Sequence, residues 1–428
     1  MRVLLRGGRI IDPSQQLDDQ VDLLIEERTI VGLGKKLIGT EGESDLTTIE
    51  LEGKLVVPGL IDMHTHLREP GFEYKETVRT GSLAAAAGGF TSIACMPNTD
   101  PVNDTRSVTE FILRKARQCG VVNVYPMAAV SKGSEGAVIT EFADLRDAGA
   151  VAFSDDGKSV MNSGLTRRAL EYAHTLGMPV ISHCEDMDLA AGGAANEGVV
   201  ATRLGLRGIP NIAEDLMVGR DIAIAEYTGT AVHIAHVSTA GAVELIREAK
   251  RRGVKVTAEA APHHFTLTDE ALKNYDTNAK VNPPLRTLAD VNAVKEGLKD
   301  GSLDAIASDH APHSTLEKDV EFDYAASGMI GLETSLALSL GLVEEGVLSL
   351  NQLVAKMSTN PARILKIQKG TLKVGADADV TVIDPDEQWT VDTRTFQSLS
   401  KNTPFNGWRL RGRAIFTIVG GDIKYRAR

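Results

Sequence analysis

Hydrophobic and polar positions follow two different rhythms along the 428 residues, and the rhythm changes twice. Residues 1–55 hold short β-rich runs, LLRGGRII, VDLLIEE, TIVGLG and TIELEGK, broken by Gly, Asp and Glu-Arg pairs. The tail from Gly370 returns to that style in ADVTVID and AIFTIVGGDIKYR. Between the two ends, aliphatic runs of strand length recur: LIDMHTH, FTSIACMPN, NVYPMAAV, AVAFSDDG, PVISHCE, AVHIAHV, VKVTAEAAPHH and LDAIASDHAPH. Amphipathic stretches such as RSVTEFILRKARQCG and AGAVELIREAKRRG separate them, each closed by a glycine of the kind that ends helices.

Eight strand-like runs with helices between them predict an α/β chain built on a (β/α)8 TIM barrel over residues 56–365. The matching β-rich ends predict one small β-sandwich domain made from residues 1–55 and 366–428. A doubly wound sheet is the competing architecture, and the number of repeats favours closure.

Composition sharpens this picture. Aromatics are only 4% of the chain, so the core rests on Val, Ile, Leu and Ala, as a sheet buried on both faces requires. The formal charge of −12 argues against a general nucleic-acid surface and against anchoring to anionic lipid, while leaving room for a small anionic substrate met by one local Arg. Three scattered cysteines, Cys95, Cys119 and Cys184, form no CxxC pair and no disulfide framework. No apolar stretch approaches the roughly 20 residues of a membrane span, and the opening run is too short for a signal peptide. A cytoplasmic setting is the expectation.

The polar chemistry gathers at the C-terminal ends of the eight runs, which is the catalytic face of such a barrel. His64 and His66 are two apart and project to one side of a strand end, where two imidazoles can share a metal ion. His183 ends the fifth run, His236 the sixth and Asp309 the eighth, while Asp156 follows the fourth in FSDDG. Four imidazoles and two carboxylates suit one or two borderline divalent ions such as Zn²⁺. His233 falls on the opposite strand face and reads as structural, as does Asp155. His174 reads as a surface or packing residue and His310 as a support for its strand. Of His263 and His264, one is free to face the cleft, and neither is assigned.

The segments GLIDMHTHLREPG, MPNT, SDDG, SHCED, KVNPPLR, ASDHAPH and GLET together resemble the dihydroorotases of the amidohydrolase superfamily, and KGTLKVGADADVTVID resembles the closing β-segment of that superfamily. The resemblance implies a reversible reaction between dihydroorotate and N-carbamoyl-L-aspartate in de novo pyrimidine biosynthesis, using a hydroxide held between two Zn²⁺ ions per subunit. It implies that His64, His66 and Asp309 hold one ion, that His183 and His236 hold the other, and that Asp156 bridges them. Hydantoinases, dihydropyrimidinases and allantoinases normally use a carbamylated lysine there, and AVAFSDDG has none before Lys158. Asp309 is implied as the catalytic proton carrier. His66, Arg68, Asn98, Asn282, His313, Ser327 and Gly328 are implied as substrate contacts, with Arg68, Asn98 and His313 on a carboxylate. The resemblance further implies a homo-oligomer and a complex with aspartate carbamoyltransferase.

Two readings of the polar segment STLEKDVEFDYAASG stand side by side: a lid over the site, or a plain surface excursion. Ala326-Ser327-Gly328 departs from the Pro-Phe-Gly or Pro-Pro-Gly usual in the family, which bears on how stiff such a lid is. A rival class of function is a scaffold for the carbamoyltransferase that has lost its metal ligands, and the retention of all six positions speaks against it.

Overall fold

The computed structural model describes residues 2–35, 37 and 46–427. Its centre is a closed ring of parallel strands. Leu60–Thr65 pairs with Phe90–Cys95, which pairs with Asn123–Pro126. Single parallel bridges, Ala128 to Phe153 and Phe153 to Val180, carry the ring through its fourth position to Ile181–Ser182. Val232–Ile234, Val256–Ala260 and Ala305–Ile306 follow in order, and a parallel bridge from His310 back to Thr65 closes the barrel. The fourth run is thus thinner than its hydrophobic pattern predicts: only Phe153 pairs, and the chain then turns inward at Ser154–Asp156.

Small and flexible side chains fill the ring. Met63, Ala94, Met96, Met127, Ala152, Ile181, Ala235, Ala305 and Ala307 form one buried cluster with Ile364 and Leu365. A larger cluster lies between the strands and the surrounding helices. In the helix Ala240–Arg251, the Thr239 side chain caps the Ala242 N–H, and Ala242, Val243, Ile246 and Ala249 turn one stripe inward at helical spacing. Arg106–Cys119 buries Val108 and Ile112 in the same way, and Gly120 ends it.

Apart from a small two-stranded pairing of Ala195–Asn196 with Gly208–Ile209, two further sheets among the described residues are built by both ends of the chain. One orders Asp422–Arg426, Arg409–Val419, Val380–Thr390, Leu55–Pro58, Arg9–Asp12 and Leu17–Gln20; the other orders Thr29–Gly34, Asp22–Glu26, Arg2–Arg6 and Leu46–Glu50. Val3, Leu5, Ile10, Leu23, Ile25, Val56, Val380, Val382 and Ile418 pack between them as a core separate from the barrel's. Gly59 carries the chain from this sandwich into the first barrel strand. A Cβ there would stand 2.0 Å from Thr91 Oγ1, so only glycine lets the strands cross this closely. The segment 398–403 leaves the sandwich and runs to the barrel: Ser398 Oγ donates to Glu76, Ser400 Oγ to the Lys75 carbonyl, and Asn402 reaches Ala311 and Gly328. Among the described residues, no helix is long and apolar enough to cross a membrane.

Candidate active site

Strand ends deliver a tight cluster. Asp156 lies at the centre, with Oδ1 3.4 Å from His64 Nε2, 3.5 Å from His236 Nε2 and 3.6 Å from His183 Nδ1, and with Oδ2 3.5 Å from His66 Nε2. Asp309 Oδ1 stands 3.2 Å from His66 Nε2 and 3.5 Å from His64 Nε2. His183 Nδ1 and His236 Nε2 approach to 2.8 Å. The ligand atoms form two triads that share Asp156, namely His64 with His66 and His183 with His236, each triad within 4.8 Å. All six residues are buried.

Two buried atoms at this centre, His64 Nε2 and Asp156 Oδ1, have no hydrogen-bond partner. Leaving such atoms unpaired is costly in a protein interior. Imidazole nitrogens and carboxylate oxygens converging on them form a donor set that suits borderline divalent ions, so these residues fit a metal centre. Electrostatics agree. Burial lowers the affinity of His183 for a proton, but Asp156 and Glu185 outweigh it and hold the imidazole up at about 10. Burial opposes ionisation of Asp309, yet His64 and His66 keep its carboxyl well below the usual range. His236 and Asp309 hold left-handed backbone, with φ of 30° and 47°, as does Arg68 at 62°. Such strain at non-glycine residues gathers where side-chain aim outranks comfort.

A second layer aims the first. His64 Nδ1 donates to Glu259 Oε1 at 2.7 Å, and Glu259 Oε2 accepts from His233 Nε2 at 3.2 Å. The opposite strand face thus gives His233 a supporting role. Burial alone would raise Glu259, but its bonds from His233 and His64 bring it down to about 2. Asp62 accepts the N–H groups of His64 and Ser308, stapling the first strand to the eighth. Asp155 accepts from Ser131, and His310 stands 3.2 Å from Glu76 while its Nδ1 accepts the Gly331 N–H. Exposed His174 sits in the last turn of Ser163–Thr175. His263 and His264 are both buried. Lys158 is exposed, whereas Asp156 is buried.

Arg68 is buried and donates from Nε to the Pro312 carbonyl at 3.2 Å, with Nη2 3.4 Å from His313 Nε2. His313 Nε2 donates to the Ser327 carbonyl at 2.9 Å, and its Nδ1, 3.9 Å from Glu317 Oε2, has no hydrogen-bond partner. Burial and the neighbouring Arg68 push His313 down to about 3, so the ring is neutral. Asn98 Oδ1 accepts from His66 Nδ1 at 2.9 Å, which makes it an aiming group for that imidazole and leaves its NH₂ for other work. Asn282 donates to Glu185 at 3.0 Å, and its Oδ1 is buried without a partner. Gly328 is less available than the sequence implies, since its N–H is committed to the Lys280 carbonyl at 2.8 Å.

The segment after His313 is largely exposed and is anchored at a few points. Ser314 and Glu317 form a capping box on the short helix Thr315–Lys318, and Lys318, Phe322 and Ala325 are buried. Glu259, Glu185, Lys318 and Asn402 are the polar residues that sequence reading missed. For Glu259 a signal existed: a carboxylate within a run that must be buried on both faces needs a partner. For Asn402 there was none, because its contacts are distant in sequence.

An eight-stranded parallel barrel carrying this histidine and aspartate cluster at its C-terminal face defines an amidohydrolase, and the model described as amidohydrolase family matches residues 169–425. A dihydro-orotase-like model matches residues 53–242. Proteins named dihydroorotase from Syntrophus aciditrophicus and Geobacter metallireducens are 61% and 58% identical over 426 residues, covering 100% of both chains in each case. The chain therefore belongs to the dihydroorotase family. Among solved structures, the L-hydantoinase (dihydropyrimidinase) from Arthrobacter aurescens superposes with a TM-score of 0.88 at 27% identity, over 98% of this chain and 95% of that one. The dihydropyrimidinase from Brevibacillus agri gives 0.87 at 28%, over 100% and 95%.

Proposed function

We propose that the chain interconverts dihydroorotate and N-carbamoyl-L-aspartate in de novo pyrimidine biosynthesis, in the cytoplasm, as a two-zinc hydrolase. One observation carries the reading: a single buried carboxylate, Asp156, is shared by two pairs of histidines. In this reading His64, His66 and Asp309 hold one ion, His183 and His236 the other, and Asp156 both. Ions held by these residues would supply a lowered pKa for bound water and polarisation of the amide carbonyl.

The chain's own groups do the rest. Asp309, kept ionised and aimed by His66, accepts the proton of the attacking water as the new C–O bond forms. It returns that proton to the ring nitrogen as the C–N bond breaks, within the reach general acid–base catalysis needs. Arg68, anchored through Nε, has its terminal nitrogens to offer the substrate carboxylate, with the NH₂ of Asn98 beside it, while His313, whose Nε2–H is given to the Ser327 carbonyl, bounds that end of the pocket. Asn282 and the Ser327 backbone face the ring. Asp309→Asn is expected to keep substantial metal and to lose turnover; near-normal turnover would sink the assignment. A side-by-side assay on dihydroorotate, dihydrouracil, hydantoin and allantoin tests the substrate, with dihydroorotate expected to lead. Family resemblance extends the proposal to a homo-oligomer and to a complex with aspartate carbamoyltransferase, tested by light scattering of the chain with and without that enzyme.

A further inference from the structure

Two buried side chains converge on one carbonyl beside the site. Lys318 Nζ donates to Ala326 O at 2.7 Å, Gly328 O at 3.0 Å and Lys280 O at 3.4 Å. Asn402 Nδ2 donates to the same Gly328 O at 3.1 Å and to Ala311 O at 3.1 Å, while its Oδ1 accepts the His313 N–H at 3.1 Å. Both residues are 4% exposed.

Among the described residues, Lys318 has no carboxylate partner. An ammonium is expensive to bury without one, and here its three N–H groups are matched by three carbonyls instead. Those carbonyls belong to residues next to ones that line a cavity of about 190 Å³, namely Val281, Asn282 and Ser327 with Glu185 among others. Lys280 precedes Asn282 on one side, and Ala326 and Gly328 flank Ser327 on the other. Asn402 then ties that second side to the His313 backbone, whose ring already donates to the Ser327 carbonyl. Gly328 itself has no room to adjust: at φ 137° an added Cβ would meet Ala311 Cβ at 2.8 Å and His313 Nε2 at 3.0 Å.

We propose that Lys318 and Asn402 are positioning residues that set the width of the substrate pocket between Asn282 and the His313–Ser327 wall, and thereby its preference for a ring bearing a carboxylate. This rests on the reading of Asn282, His313 and Ser327 as substrate contacts. Neither residue touches substrate. Their effect is on where His313 and Ser327 stand.

The test uses the whole enzyme with Lys318→Met, Asn402→Ala and Asn402→Asp made singly, the last keeping an acceptor for the His313 N–H. Metal content matching the wild type shows that the barrel has folded. Steady-state kinetics on dihydroorotate and dihydrouracil then read the pocket. The expected result for Lys318→Met and Asn402→Ala is a KM for dihydroorotate raised about tenfold with kcat within about threefold, and a kcat/KM for dihydrouracil left unchanged. Asn402→Asp keeps the acceptor for the His313 N–H but sets an oxygen against the Ala311 and Gly328 carbonyls, so it should lose at least as much as Asn402→Ala. An unchanged preference for dihydroorotate, or an equal loss on both substrates, overturns the proposal. If Lys318→Met does not fold, the Asn402 pair decides it by the same criterion. Hydrogen exchange gives a readout free of any substrate: the His313 and Gly328 amides must exchange faster in the variants, and unaltered exchange also overturns it. A wild-type chain active on dihydrouracil but not dihydroorotate strikes the functional reading instead.

Discussion

Removing the carboxylate of Glu259 should weaken the metal centre without touching a ligand. Glu259 is 1% exposed and accepts the Nδ1–H of His64 at 2.7 Å, which fixes the tautomer that turns Nε2 toward Asp156 and Asp309. A hydrogen bond to a buried ionised carboxylate is worth about 1.5–3 kcal/mol, and each 1.4 kcal/mol is tenfold in an equilibrium constant. Glu259→Ala forfeits that bond and leaves Nδ1 unpaired, so affinity for the ion next to His64 should fall by about tenfold to about 150-fold. Glu259→Gln keeps a neutral acceptor and should lose about half as much in free energy. His233→Ala, which removes only the far contact of Glu259, should do less than either. Zinc titration against a chromophoric chelator at pH 7 measures all three. A Glu259→Ala chain that binds both ions within about threefold of the wild type would show that His64 is aimed by the strand alone.

Other consequences are as direct. Arg68→Met should lower kcat/KM on dihydroorotate by about tenfold to about 150-fold, the worth of a charged hydrogen bond, while leaving dihydrouracil unaffected; equal loss on both refutes the carboxylate role. Chelation should abolish turnover and added zinc restore it, and zinc affinity should rise from pH 6 to pH 9, because the ion displaces a proton from His183, which is held up at about 10. Affinity independent of pH would place His183 outside the metal shell. Glu333 is pushed up to about 7 by burial, against the N–H bonds it accepts from Ser398 and Gln397. A carboxyl raised in the folded state costs stability as pH climbs from its ordinary value near 4.5 through 7, and nothing below that window. Glu333→Gln should therefore melt higher than the wild type at pH 8, by about 1 kcal/mol after allowance for solvent, and equally at pH 4. The same difference at both pH values would rule this out.

The chain's periodicity was enough to read the barrel, and the reason is physical. Strands buried on both faces must be aliphatic runs, and crossover helices must show one apolar stripe, so both carry local signatures. His64 and His66 were legible for the same reason, since a period of two puts them on one face. Phe153 shows the limit: an apolar run predicts burial, but whether its backbone pairs along its length depends on the neighbours, and here the chain bends away to deliver Asp156. Lys318 shows another. In STLEKDVEF it looks like one more solvated charge, and only the convergence of Lys280, Ala326 and Gly328 makes it an interior residue. Asn98 was legible as a candidate but not its contact with His66, because a carboxamide has two ends and the sequence does not say which one His66 takes.

The reach of Asn402 has a consequence in time as well as space. The side chains that hydrogen-bond His64 and His66, and the Asn282 that holds Glu185 beside His183, lie before residue 314. The wall beside His313 is fastened by a residue only two dozen or so positions from the end of the sequence. On a ribosome making the chain from its first residue, the metal cluster is encoded and emerges well before the pocket that selects its substrate can close. The same late part of the chain also pairs Val380–Ile383 with Leu55–Pro58 at the entrance to the barrel, so the wall beside His313 is fastened only when both ends of the chain have come together.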